Sequence, residues 1–149
     1  MNEVNPKRKQ SIDLLSAMYQ NSAVSSDCIE RILRRIDDTK LKSTLQNQLD
    51  TYETVNSTVK KQLQHEGHKP SGGHDLIAKT AARGTALKTL ADPSPSNVAK
   101  IMIKGSSTGI IDLTKAVNNC SLADTEVLKQ ANDYISHEQA YIDQMKSFL

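Results

Sequence analysis

Toward the C-terminus, Val127, Ala131, Tyr134, Glu138, Tyr141, Met145 and Phe148 recur at alternating steps of four and three residues. That spacing is the inward seam of an α-helix packed in a bundle. Leu128, Ile135, Ile142 and Leu149 repeat every seven residues on the flank of this seam, which gives the helix a firm orientation. Glu138 therefore falls on the buried side, midway along an otherwise core-forming line. A carboxylate taken out of water needs partners, and the rest of the chain has to supply them.

Three further segments carry the same periodicity. Ile12, Leu15, Tyr19, Ser22, Ser26, Ile29, Leu33 and Ile36 predict a first helix over about 6–37, with Pro6 tolerated in its first turn. The link Asp37-Asp38-Thr39 is too short for anything but a reversal, with Asp38 or Thr39 placed to cap a second helix over about 40–66. The seam of that helix is Leu45, Leu49, Tyr52, Asn56, Val59 and Leu63, with Glu53 at its edge and Gly67 as its stop. Ser94-Pro95 is a cap and first-turn pair for a third helix over about 95–119. Its apolar residues fall on two neighbouring lines, one through Ile103, Ser106, Ile110, Leu113, Val117 and Cys120, the other through Met102, Gly109 and Ala116, so its rotation stays open. Gly105 and Gly109 inside a helix cost about 1 kcal/mol each relative to Ala, which calls for a close crossing or for backbone space beside the core centre. After Asn118-Asn119, Ser121 with Asp124 resembles a capping box for the fourth helix, over about 123–148.

The remaining connection, 68–94, is broken at Lys69-Pro70-Ser71-Gly72-Gly73 and again at Asp92-Pro93. Between the breaks, Leu76, Ile77, Thr80, Ala81, Gly84, Leu87 and Leu90 predict a weaker helix lying across the bundle as a strap. The expected fold is all-α: one domain over 1–149, an antiparallel four-helix bundle with one long crossover that carries an extra short helix. A chain of 149 residues is long enough to bury about two-thirds of its unfolded surface on folding.

Charge and composition narrow the function classes. Nineteen Lys and Arg nearly balance seventeen Asp and Glu, and the only basic clusters are Lys7-Arg8-Lys9 and Arg34-Arg35. Nucleic-acid binders gather positive charge on one face, and single-strand binders add aromatic platforms that one Phe, four Tyr and no Trp do not provide. No nucleic-acid partner is expected. No run approaches the length of a membrane span, and the N-terminal MNEVNPKRKQ has no apolar core, so neither a membrane nor a secretory route is expected. Cys28 and Cys120 sit in separate helical patterns, which suits buried thiols in a reducing cytoplasm.

Two antiparallel hairpins joined by a long crossover form the ferritin-like arrangement, whose iron-carboxylate members carry Glu-x-x-His on helices two and four and one Glu on each of the others. Here helix two reads Glu53-Thr54-Val55-Asn56 and helix four Glu138-Gln139-Ala140-Tyr141, with the glutamate kept and the histidine missing. Ser22 and Ser26, and Ser106 with Gly109, stand where the other glutamates belong. The chain resembles a bacterial ferritin-like four-helix protein of the clostridial type, above all along Ile101-Met-Ile-Lys-Gly-Ser-Ser-Thr-Gly-Ile-Ile-Asp-Leu-Thr-Lys115. The resemblance implies a bundle whose di-iron ligand set is incomplete.

The residues themselves leave three uses for the centre. Glu53, Asn56, Glu138, Tyr141, Tyr134, Tyr52, Tyr19, Ser22 and Ser26 form the expected polar core cluster, in which phenols and serine hydroxyls satisfy the carboxylates. Alternatively, Glu53 and Glu138 meet over a divalent metal ion, although a di-iron centre wants about six ligands including imidazoles. A catalytic centre has the least to work with. Cys28 and Cys120 have no evident base, there is no Gly-x-Ser-x-Gly turn, and Ser71-Gly72-Gly73-His74 lacks the Lys and preceding strand of a phosphate loop. His65, His68 and His74 are close enough for a zinc or nickel site but equally suit solvated positions, and His137 points about 100° away from Glu138. The sequence thus predicts a protein that is not an enzyme, has no cofactor, and acts in structure or interaction with an unidentified protein partner. Helix three presents a small-residue face, Gly105, Ser106 and Gly109, and an apolar stripe, Ile103, Ile110 and Val117, either of which offers close packing within the monomer or a homodimer contact.

Overall fold

The structure, a computed structural model, describes residues 5–70 and 91–149. Among them are four helices and no strand: α1 Pro6–Leu33, α2 Thr39–His65, α3 Pro95–Asn119 and α4 Thr125–Lys146. The strap helix expected within 76–90 lies outside the described residues.

Each helix begins on a side-chain cap that takes up an N–H the first turn leaves without a partner. Asn5 accepts from the Lys7 N–H at 3.0 Å and Asp38 from the Leu41 N–H at 2.7 Å. Ser94 accepts from the Asn97 N–H at 3.4 Å, with Pro95 following it as expected. The fourth cap differs from the reading of Ser121: Asp124 itself accepts from the Glu126 N–H at 2.9 Å, and the helix starts at Thr125. Just past the end of α2, Gly67 has a φ of +71° that lets its N–H reach Gln64 O and the His68 N–H reach Leu63 O, the two hydrogen bonds of a Schellman turn.

Helix α1 packs along α2 and α3 along α4, while α1 also touches both α3 and α4. Arg8, near the start of α1, pairs with Glu66 beyond the end of α2 at 2.9 Å. The same end of α1 holds the start of α4, since Gln10 accepts from the Leu122 N–H at 2.7 Å and Ser11 from the Asp124 N–H at 2.8 Å. Between α2 and α4, Gln62 bonds Gln130 at 2.9 Å, Tyr52 bonds Glu138, and Gln48 bonds Gln144 at 3.4 Å, so ascending numbers on one helix meet descending numbers on the other.

The core is aliphatic, with Leu14, Ile29, Ile32, Leu41, Leu45, Leu63, Val98 and Ala131 fully enclosed. Helix α4 buries Val127, Ala131, Tyr134, Glu138, Tyr141 and Met145, the alternating seam, together with Ile142. Helix α3 takes a rotation between its two apolar lines, burying Val98, Ala99, Met102, Ser106, Gly109 and Leu113. Helix α1 is turned from the expected seam: Leu14, Met18, Asn21, Ser25 and Ile32 are buried, whereas Ile12, Tyr19 and Leu33 pack only partly against the core. Because α1 contacts three helices, it buries a wider face than a two-helix seam would.

Candidate functional site: the polar centre

Glu138 is 1% exposed, and its Oε1 accepts the hydroxyl hydrogen of Tyr52, which reaches across from α2. Ser106, buried on α3, places its hydroxyl close enough to the Tyr52 phenol to act on its ionisation. One turn before Glu138 on α4, Tyr134 donates to Asn21 Oδ1 on α1 at 2.5 Å. Asn21 and Glu138 converge on Gly109. A Cβ at that position would lie 2.8 Å from Asn21 Nδ2 and 3.4 Å from Glu138 Oε2. Gly109 thus supplies backbone space beside the core centre. Gly105, with nothing within 4 Å of its would-be Cβ, has no such role. Each of the four helices contributes a side chain or a gap to this cluster.

Burial above all, then the Glu138 carboxylate and the neighbouring Tyr134, holds the Tyr52 phenol well above its ordinary pKa, while the Ser106 hydroxyl acts in the opposite direction. Tyr52 therefore remains a donor at neutral pH. Its ring lies 6.2 Å from that of Tyr134 and 5.5 Å, edge-on, from that of Tyr141, so the phenols also pack as an apolar wall around the carboxylate.

The nine residues expected as one cluster separate. Ser22 accepts from Asn56 Nδ2 at 3.0 Å and donates to Tyr19 O at 3.0 Å, and Asn56 also reaches Tyr19 O at 3.2 Å. That is a second polar node, joining α1 to α2, in which Tyr19 contributes its backbone carbonyl. Tyr141 is buried beside Tyr52, but its hydroxyl makes no hydrogen bond of normal geometry; the Thr51 hydroxyl nearby donates instead to Asn47 O at 3.2 Å. Ser26 is half-buried, and its hydroxyl likewise has no partner. Glu53 is corrected outright: it is exposed, because it follows Tyr52 directly and a one-residue step turns it about 100° from the face Tyr52 buries. Periodicity overlooked four buried polar residues, Ser11, Ser25 and the two amides Asn21 and Gln48, the last two 8% and 1% exposed. Asn21 and Gln48 each lie one position from a seam residue, and an amide carries no apolar signal to mark its face.

The di-iron set implied by the ferritin-like resemblance does not fit these residues. Glu53 faces solvent, Asn56 is committed to Ser22 and Tyr19, and Tyr141 occupies the expected imidazole position on α4. Among the described residues, no three His, Cys, Asp or Glu side chains gather as a metal site would require. His65, His68 and His137 are exposed, with His137 stacked 6.3 Å from Tyr141, while His74 lies outside the described residues. Cys28 and Cys120 are buried thiols. Among the described residues, no helix is long and apolar enough to cross a membrane. No family model, curated protein or solved structure matches the chain.

Proposed function

We propose that the chain is a ferritin-like antiparallel four-helix bundle of the cytoplasm that acts without catalysis, as a structural or interaction protein, its metal centre replaced by hydrogen bonds between side chains. The observation that carries this reading is the Tyr52–Glu138 bond across the bundle, where an iron-carboxylate protein would have a metal ligand set. The Tyr134–Asn21 bond beside it completes a network that ties α1, α2 and α4 together without an ion. A reduced metal site would need Glu53 next to Glu138, and their opposite burial separates them.

The test is the melting temperature with and without Fe(II), Mn(II) or Zn(II), for the wild type and for Glu138→Gln. An ion that binds only the folded form must raise the melting temperature. The expected result is no shift at millimolar metal. The amide of Glu138→Gln still accepts from Tyr52, so that variant is expected to fold and to change stability by about 1 kcal/mol. A metal-dependent rise that Glu138→Gln abolishes would overturn the reading.

A further inference from the structure

The two flanks of α4 differ in chemistry. One is aliphatic, Leu128, Ile135 and Ile142, partly or wholly buried. The other, turned to α2, is Gln130, His137 and Gln144, and α2 answers it with Thr44, Gln48, Thr51 and Gln62. The backbones of α2 and α4 also stand farther apart than those within either hairpin, so the two helices meet through the long side-chain pairs Gln62–Gln130, Tyr52–Glu138 and Gln48–Gln144. Both ends of this seam are cleft. A hollow of about 420 Å³ lies beside Gln48 and Tyr141, and one of about 570 Å³ separates Lys61, Gln62 and His65 from the start of α4. Enclosed in the seam, Gln48 Oε1 and the Tyr141 hydroxyl have no hydrogen-bond partner.

Apolar contact resists separation in proportion to the area it buries, whereas amides and hydroxyls exchange their mutual bonds for bonds to water at little net cost. Parting α2 from α4 would also give Gln48 and Tyr141 the partners that the closed seam denies them. The other side of the bundle is fastened. There α1 packs on α3, and Gln10 and Ser11 accept from the N–H groups of Leu122 and Asp124 in the turn before α4. We infer that the two hairpins part along the α2/α4 seam, hinged where α1 meets α3, in a partial opening that brings Tyr52 and Glu138 into water while the four helices persist. The apolar inner faces of α2 and α4 become wet at the same time, which keeps the open form a minor one.

Thiol labelling of the full chain tests this, with Cys28→Ala and Cys120→Ala as background. Val59→Cys puts a thiol on α2, at a position 1% exposed, and Ala99→Cys puts one on α3, at a position 0% exposed. When closing outruns the reagent, the labelling rate reads the population of the open form, which is compared with each variant's own unfolding constant from urea. Val59→Cys is expected to label at least tenfold faster than its global unfolding allows, with a rate nearly flat at low urea. Ala99→Cys is expected to label at the rate that global unfolding allows. Should Val59→Cys not fold, Gln48→Cys reads the same seam. Adding Tyr141→Phe removes an unpartnered hydroxyl from the closed form, and is expected to slow labelling at position 59 or 48 about threefold or more. Two results would overturn the inference: a seam thiol that labels only through global unfolding, or seam labelling unchanged by Tyr141→Phe.

Discussion

Gly109 and Gly105 lie four residues apart on one helix, yet their environments are opposite. A methyl group at 109 would be pressed against Asn21, whose Oδ1 is held by Tyr134, so Asn21 cannot turn aside without giving up that bond. A methyl at 105 meets nothing within 4 Å. Gly105→Ala is therefore expected to stabilise the fold by about 1 kcal/mol through helix propensity. Gly109→Ala is expected to fall about 1–3 kcal/mol below it through overpacking, measured by urea unfolding of the pair. Equal effects at the two sites would show that the glycine gap does not hold the polar centre. The same residue-scale logic explains why Glu138 is tolerable: a carboxylate is costly to bury without partners, and Tyr52 brings one from the opposite helix.

At the scale of the element, the helices are delimited by short-range chemistry. Asp38 caps α2 shortly after α1 ends at Leu33, and Gly67 closes α2 in the left-handed region. Asp38→Ala is expected to cost about 1 kcal/mol through the lost cap. Gly67→Ala is expected to cost about 1–2 kcal/mol through its positive φ, although open space surrounds that position. Both are readable as shifts in the urea midpoint with an unchanged slope. Helix α1 shows the complementary rule. Its rotation follows from contacts with three other helices, so Asn21 and Ser25 turn inward while Ile12 and Leu33 move to the edge.

Across the whole molecule, the buried phenols couple folding to alkaline pH. Tyr52, and to the same sign Tyr141, has its pKa raised in the folded state. Below about pH 10 each phenol is protonated in both states and contributes no pH dependence. Above it, the unfolded chain releases a proton that the folded chain retains, so stability falls as pH rises, by about 1.4 kcal/mol per pH unit for each such group. The urea midpoint is expected to decline above about pH 10, and Tyr52→Phe is expected to decline less steeply from a lower starting stability, since the Tyr52–Glu138 hydrogen bond is lost. Parallel slopes for the two proteins would mean that Tyr52 ionises freely in the fold.

Four helices, their approximate ends and the inward position of Glu138 were legible in the sequence, because periodicity and capping act over one or two turns. Tertiary structure alone decided the rotation of α1 and α3, the inward turn of Asn21 and Gln48, the exposure of Glu53, and the division of the expected cluster into two nodes. Local spacing specifies a stripe to within about one residue, or 100° of arc, and polar side chains leave no mark on it. Which hydroxyl meets which carboxylate depends on distances between helices, here Tyr52 and Glu138 across 86 residues of chain.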